Sequence, residues 1–356
     1  MTKYFVDSIT NVEENAVDQL LELQKEEKVL NIAVFPDIHF CDEKGIPVGL
    51  AFTTKDVIYP LITGKDMGCG VAYLKIPKSY VLKPFDKHQH YRAFDKEHYK
   101  MTDEGLGGGN HFLSLEEDQT DLYVIVHTGT RNRGIYMYQK NSQLLQEFGN
   151  SKYFSVEWLE KNYPQWFDEY HEVLLYGMKR RVEFLEGTLR FLIRNKYVKE
   201  THFDQLHHED SIHNHIVKEH GYYVHRKGST ELNLNTVVIP LSMTRGSLFV
   251  KQRAGQYSFE YDNDGSNLNS CSHGAGRKLS RMKTMKYWHS SLKERERKEY
   301  KENFSELLDR SGDFPKGYIQ EFDFAYKDSD SILRSQPFLK FITRTTPIAT
   351  VKFTEI

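Results

Sequence analysis

The chain has 356 residues, with 48 Lys and Arg against 50 Asp and Glu and a formal net charge of −2. A hydrophobic content of 39% and an aromatic content of 13% allow a sizeable core and exclude a disordered linker or tail. The balanced charge excludes a chain-wide affinity for nucleic acid, so any such site must be a local basic patch.

The N-terminal MTKYFVDSIT has neither the basic nor the apolar segment of a secretory leader, and no apolar run approaches the roughly 18 residues of a membrane span. VLNIAVF (29–35) reads as a buried strand ending at PDIH. GVAYLKI (70–76) reads as a strand that follows KDMGC, and LYVIV (122–126) as one that runs into HTGTRNRG. Loops of this kind at strand ends are where sites are commonly assembled. From Trp166 to Asn195 the residues Leu174, Met178, Val182, Leu185, Leu189 and Leu192 recur every three or four positions, which predicts a packing helix with no catalytic role. A second helix is expected over 209–219, carrying the histidines of DSIHNHIVKEH. Strands follow at GYYVHR and TVVIP, and 288–308 reads as a charged, solvated helix. No composition shift, Pro/Ser-rich linker or fixed-period repeat divides the chain. The expectation is a single α+β domain over 1–356, with sheets flanked by helices around a central cleft. Three cysteines, Cys41, Cys69 and Cys271, form no CxxC pair and no even set, which argues for a reducing, cytoplasmic setting rather than a disulfide framework.

Separate segments offer metal-binding side chains where a strand or helix end can hold them: Asp66 and Cys69 in GKDMGCG, Asn110 and His111 after GLGGG, His127 before TGTRNRG, and His213 in SIHNH. Thiolate, imidazole and carboxylate together suit Mn, Fe, Co, Ni or Zn better than Mg or Ca. Each residue alone is weak, because a lone histidine at a strand end is more often structural and a lone buried cysteine is usually a small apolar filler. GLGGGNH (105–111) allows backbone amides to approach an anion, although the chain has no GxxxxGK[ST]. Arg131 and Arg133 in HTGTRNRG, and Arg226 and Lys227 in HRKGST, suit phosphate oxygens. In HGAGRKLSR (273–281), His273 reads as a metal ligand, a general base or a nucleophile, with Gly274 and Gly276 leaving space for a nucleotide. Arg277 and Arg281, four apart, would share one helix face.

PDIH, GKDMGCG, GLGGGNHF, HTGTRNRG, SIHN, HRKGST and HGAGRKLSR occur in the order found in RtcB-type RNA ligases, which the chain resembles from about Pro36 to Arg281, with a weaker echo in AYKD (325–328) and near Lys352. The resemblance implies a GTP-using ligase with two Mn²⁺ ions. Such an enzyme joins RNA ending in a 2′,3′-cyclic phosphate or 3′-phosphate to RNA with a 5′-hydroxyl, through a histidine–GMP intermediate. It implies Asp66, Cys69, His111, His127 and His213 as metal ligands, with Cys69 bridging, and His273 as the nucleophile. By the same resemblance Asn110, Ser242, Gly274, Ala275, Gly276, Tyr326 and Lys352 would contact the nucleotide, while Arg131, Arg226 and Lys227 would meet RNA phosphate. An activating protein partner is compatible with it.

The chain also departs from the family pattern. Ser114 stands where the family carries a guanine-reading glutamate, with Glu116 two residues further on. IPLSMTR (239–245) replaces IPGSMGT, and FCDEKGIPVG follows PDIH. Two other functions compete: a metal-dependent phosphodiesterase that only opens 2′,3′-cyclic phosphates, and a catalytically silent RNA-end-binding protein.

Overall fold

Strand Gly70–Pro77 and its antiparallel neighbour Asp121–Thr128 are apolar along almost their whole length, so both faces of their sheet must be covered. Alternate residues serve two cores. Ala72, Leu74, Ile76, Leu122, Val124 and Val126 face Phe184, Leu185, Leu189 and Leu192 of a helix, while Val71, Tyr73, Tyr123 and Ile125 face Val238 and Phe249 of another sheet. The computed structural model that gives this arrangement describes residues 1–6, 12–41, 46–98, 101–149, 151–233, 235–253 and 266–352. Part of FCDEKGIPVG, residues 42–45, lies outside the described residues.

The central sheet has five strands, all antiparallel, in the order Thr346–Val351, Phe112–Glu117, Asp121–Thr128, Gly70–Pro77, His207–Ile212. A second five-stranded sheet runs Thr2–Tyr4, Ile32–His39, Val48–Thr54, Tyr222–Lys227, Asn214–Glu219, with only the Thr2–Tyr4 pairing parallel. A three-stranded sheet, Val237–Ser242, Gly246–Gln252 and Leu339–Arg344, covers the far face of the central one. Helix Trp166–Arg194 has 29 residues and joins two cores. Its first half packs Trp166, Tyr170 and Leu174 with Val34 and Phe52 of the second sheet, and its second half packs on the central sheet. The expected α+β class and the expected helix at 166–195 are both found. Among the described residues no helix is long and apolar enough to cross a membrane.

Four sequence expectations are corrected. The segment 209–219 is not a helix: His207–Ile212 forms the edge of the central sheet and Asn214–Glu219 a hairpin with Tyr222–Lys227. The turn His220–Gly221, both at positive φ, is the two-residue hairpin type whose twist matches its strands, and the chain passes from one sheet to the other at His213. The strand near 29–35 instead spans Ile32–His39 and bulges, since the register skips from Val34↔Leu50 to His39↔Val48 around Pro36, which has no N–H to donate. Gly49, at φ +93, makes the bulge possible, because a Cβ there would lie 2.5 Å from the Ile38 nitrogen. Finally, 288–308 is broken between helices Arg281–Ser290 and Glu294–Asn303, and Trp288 is buried against Tyr300, Phe314 and Phe322 rather than solvated. Arg277 lies before the first of these helices and shares no helix face with Arg281.

Phe184 is fully buried between the long helix and the central sheet. Phe184→Ala is expected to lower the unfolding free energy by about 3–5 kcal/mol in urea titrations, whereas Leu175→Ala, on the exposed face, should change it by less than about 0.5 kcal/mol. Equal effects at the two positions would contradict this packing.

Candidate metal and nucleotide site

One end of the central sheet gathers four of the predicted ligands by strand register alone. Gly70 pairs with both Thr128 and Ile212, and Phe112 pairs with His127. Cys69, His111 and His213 each sit one residue beyond those paired ends, so they meet His127 along one edge. Cys69 Sγ lies 3.4 Å from His111 Nε2 and 3.2 Å from His127 Nε2. His127 Nε2 is 3.2 Å from His213 Nε2, and Asp66 Oδ2 is 3.4 Å from His111 Nε2. The thiol therefore stands between an Asp66–His111 side and a His127–His213 side.

The donor set fits a transition-metal ion. Separations of this size are close to the edges, about 3.4 Å, of a tetrahedron with bonds of about 2.1 Å. His127 points Nδ1 at the Asn110 carbonyl, 3.1 Å away, which fixes Nδ1 as the protonated nitrogen and leaves the Nε2 lone pair facing the cluster. Burial, reinforced by the neighbouring imidazoles, holds His127 and His213 well below the ordinary histidine range, so both stay neutral and able to coordinate. Burial and the Asp66 carboxylate push the Cys69 thiol up, with Arg181 opposing them, and a bound cation would reverse that preference.

Behind the cluster stand two adjacent arginines of the long helix that sequence reading left without a role. The Arg181 side chain is fully buried. Its Nε binds both Asp210 oxygens at 2.8 and 3.0 Å, and its Nη1 donates to the carbonyls of Gly68 (2.8 Å) and Thr128 (2.9 Å). Those carbonyls belong to the residue before Cys69 and the residue after His127. Gly70 must be glycine for this to happen, since a Cβ there would lie 2.8 Å from the Arg181 guanidinium carbon. Arg180 donates to the carbonyls of Gly129 and Gly105, tying in the glycine loop. In that loop Gly107, at φ +101, lets His111 and Arg131 close in from either side, where a Cβ would meet His111 Nδ1 at 2.5 Å.

His273 follows strand Ser270–Ser272, which pairs with Ser229–Glu231. Its Nδ1 faces the Gly228 carbonyl at 2.7 Å and the Asp37 carboxylate, and its ring centroid is 4.7 Å from that of His213. The proton therefore sits on Nδ1 and Nε2 carries the lone pair. Burial lowers the His273 pKa, but Asp37 and the Gly228 carbonyl outweigh it and raise the ring above its ordinary value. Asp37 also accepts the backbone N–H groups of His273 and Gly274 at 3.1 and 3.3 Å. PDIH was visible in the sequence, but only the strand bulge shows which of its residues points at His273.

A cavity of about 360 Å³ opens beside His273 and is lined by Asn110, Ser242, Gly274, Ala275, Gly276, Tyr326 and Lys352, all of the predicted nucleotide contacts. Ser114, Glu116, Ser247, Glu321 and Thr350 line it as well. Ser247 was missed by sequence reading, and IPLSMTR running into GS was its only signal. Asp66, Asn110, His213, Lys227 and His273 share a second opening with Lys65. Arg226, expected on RNA phosphate, is corrected: it is fully buried, paired with Glu219 at 2.8 Å and hydrogen-bonded to Ser270 Oγ at 2.9 Å, out of reach of any RNA. His215, beside it, pairs with Glu231 at 3.2 Å and is structural.

Because Arg181 fixes the backbone on both sides of the cluster, Arg181→Lys is expected to weaken binding of a divalent transition-metal ion by about 10- to 100-fold, read by calorimetric titration with Mn²⁺ or Co²⁺. A folded variant with unchanged affinity would remove Arg181 from any positioning role.

Comparison with known proteins gives the family. The sequence model of the family described as "tRNA-splicing ligase RtcB" matches residues 81–353. The chain is similar to the RNA-splicing ligase RtcB of Escherichia coli strain K12, at 25% identity over 395 residues, covering 91% of this chain and 90% of that protein. It is also similar to the tRNA-splicing ligase RtcB of Nanoarchaeum equitans strain Kin4-M, at 25% identity over 298 residues, covering 69% and 59%. With a family model matched over most of its length, a cysteine–histidine cluster at one sheet edge and a histidine-bearing cavity beside it, this chain belongs to the RtcB family.

Proposed function

We propose that this protein is an RNA ligase that joins a 2′,3′-cyclic phosphate or 3′-phosphate end to a 5′-hydroxyl end, using GTP and two Mn²⁺ ions. The observation that carries the reading is the locked tautomer of His273: Nδ1 is committed to Gly228 and Asp37, leaving Nε2 free beside the Cys69, His127 and His213 cluster. Asp66, Cys69 and His111 would hold one ion, and Cys69, His127 and His213 the other. When bound, the ions would neutralise and polarise phosphate oxygens.

His273 Nε2 attacks the α-phosphorus of GTP, a P–N bond forms, and pyrophosphate leaves. The positive charge that develops on the imidazole faces the Asp37 carboxylate, which keeps the Nδ1 proton in place. Gly274 and Gly276 bring backbone rather than side chain against the nucleotide, and at Gly276 a Cβ would collide with Asp37 at 2.6 Å. Water opens a cyclic phosphate to a 3′-phosphate. An oxygen of that phosphate then takes GMP from His273, and the 5′-hydroxyl attacks the same 3′-phosphorus, releasing GMP and closing the phosphodiester. Arg131, beside His111 at Gly107, and Lys227, which lines the opening with Asp66 and His213, would meet RNA phosphates.

Incubation with Mn²⁺ and α-labelled GTP is expected to give an acid-labile nucleotide adduct that His273→Ala abolishes and Asp37→Asn slows by roughly 100-fold or more, since the wrong tautomer can then be populated. An adduct surviving in His273→Ala would refute the assignment. Turnover of a cyclic-phosphate end without GTP and without joined product would favour a phosphodiesterase instead.

A further inference from the structure

The joining step frees a proton, since the attacking 5′-hydroxyl must lose its own, and no residue assigned above takes it. The nucleotide cavity and the opening beside Asp66 and His213 share three residues: His39, Asn110 and His273. A 3′-phosphate that carries GMP belongs where they meet, because the GMP comes from His273 and the RNA enters on the Asp66 side. Asn110 has an amide side chain, which takes no proton at neutral pH. His273 lies on the wrong side of the phosphorus. An in-line displacement sets the attacking oxygen opposite the leaving GMP, and GMP stands on the side from which His273 delivered it. That leaves His39.

His39 ends strand Ile32–His39, just past the bulge that aims Asp37 at His273. Its Nδ1 lies 2.7 Å from the Asp37 carbonyl oxygen. A carbonyl only accepts, so Nδ1 carries the proton and Nε2 the lone pair, the same lock as on His127 and His273. Among the described residues nothing pairs with Nε2, and the ring is only partly buried. His39 also lines a third opening, of about 960 Å³, with Arg277, Lys278, Arg281, Lys283 and Arg334. It is the residue common to all three openings. The charged groups acting on the ring are Asp37, His273 and Glu13, whose carboxylate accepts the Phe40 N–H at 3.2 Å. Arg277 and Arg281 line two of the openings beside it. Burial lowers the His39 pKa more than the two carboxylates raise it, and His273 adds to the lowering, so the ring is neutral near pH 7.

We infer that His39 is the general base of the joining step, its Nε2 taking the proton of the 5′-hydroxyl as that oxygen attacks the 3′-phosphorus. The new P–O bond forms to the 5′-oxygen. The bond from the 3′-phosphorus to the oxygen it shares with GMP breaks, and GMP leaves with the electron pair. The hydroxyl proton ends on His39 as an imidazolium, which solvent in the third opening discharges. Nδ1 keeps its own proton on the Asp37 carbonyl throughout, so Asp37 serves two histidines, His273 through its carboxylate and His39 through its backbone. This inference rests on the ligase reading above.

The test uses RNA whose 3′-phosphate already carries GMP, which bypasses His273, together with a 5′-hydroxyl RNA and Mn²⁺. Joining is followed against pH for the natural protein, His39→Ala, His39→Asn and His273→Ala. Asn keeps an N–H to donate to the Asp37 carbonyl but has no base to offer. Both His39 variants are expected to lower kcat by about 10²- to 10⁴-fold with little change in KM for RNA. The natural rate should fall toward acid as the ring protonates, with a midpoint below its ordinary 6.5, and the His39 variants should lose that fall. A His39→Asn variant that joins at the natural rate would make the residue structural and overturn the inference. A loss confined to KM would make it a phosphate contact, and a fall toward acid abolished by His273→Ala would give the role to His273; either result overturns it. So does a natural rate that does not fall toward acid, an outcome that needs no variant to fold. Each of these sinks this inference alone, whereas a natural protein that joins no such RNA sinks the ligase reading and this inference with it.

Discussion

The site depends on one buried guanidinium. Arg181 reaches from the middle of the long helix into the end of the central sheet and holds three backbone segments at once: the turn before Cys69, the end of the strand carrying His127, and the edge strand through Asp210. Replacing a buried ion pair with well-packed apolar residues is often neutral or stabilising, whereas removing one partner costs about 3–5 kcal/mol. Core stability is therefore a poor reason to keep Arg181. Geometry is a better one, because strand register brings the candidate ligands to one end of the sheet and the guanidinium then ties the turn before Cys69 to the strand end after His127. Glycine at positions 70 and 177 clears the way: a Cβ at Gly177 would come within 2.9 Å of the Gly68 carbonyl oxygen.

The same backing explains which parts of the molecule were legible in the sequence. The strands 70–76 and 122–126 could be read because they are apolar on both faces, and the helix from Trp166 because apolar residues recur every three or four positions from Leu174 to Leu192. The residues of the cluster were legible as chemistry, since Cys, His and Asp beside glycines stand out in loops. Arg180 and Arg181 were not, because two adjacent charges on a helix look like a solvated face, and only the tertiary packing turns that face inward. Arg226 failed in the opposite direction. A basic residue in a polar stretch reads as surface, and nothing local announces that Glu219 and Glu231 converge on it in the interior.

The segment 207–219 shows a further limit. Two strands of six residues, separated by the buried His213 and belonging to different sheets, carry no period long enough to distinguish from a short helix. The hairpin turn at His220–Gly221 was the local signal available, and the histidines drew attention away from it. The misreading matters because His213 reaches the cluster through the chain's passage between sheets, a position that a helix face would not reproduce. His213 N–H donates to the Cys69 carbonyl at 2.9 Å, so the crossing point is tied directly to the turn that carries the thiol.

Within a few ångströms the fold then sorts imidazoles of the same intrinsic chemistry into two kinds. His127 and His273 both commit Nδ1 to a backbone carbonyl, of Asn110 and Gly228 respectively, so both turn Nε2 toward the shared space. What separates them is the second partner. His127 has other imidazoles and a buried thiol for neighbours, and desolvation drives its pKa down. His273 has Asp37 directly on Nδ1, and its pKa goes up. A depressed imidazole stays neutral and keeps a lone pair for a cation, while a raised one is more basic at Nε2 and a stronger nucleophile whenever it is unprotonated. Asp37 is thus the residue that converts one histidine of the group from a candidate ligand into the proposed nucleophile, and it can do so only because a proline-containing bulge over Gly49 aims its carboxylate at His273 rather than along the strand.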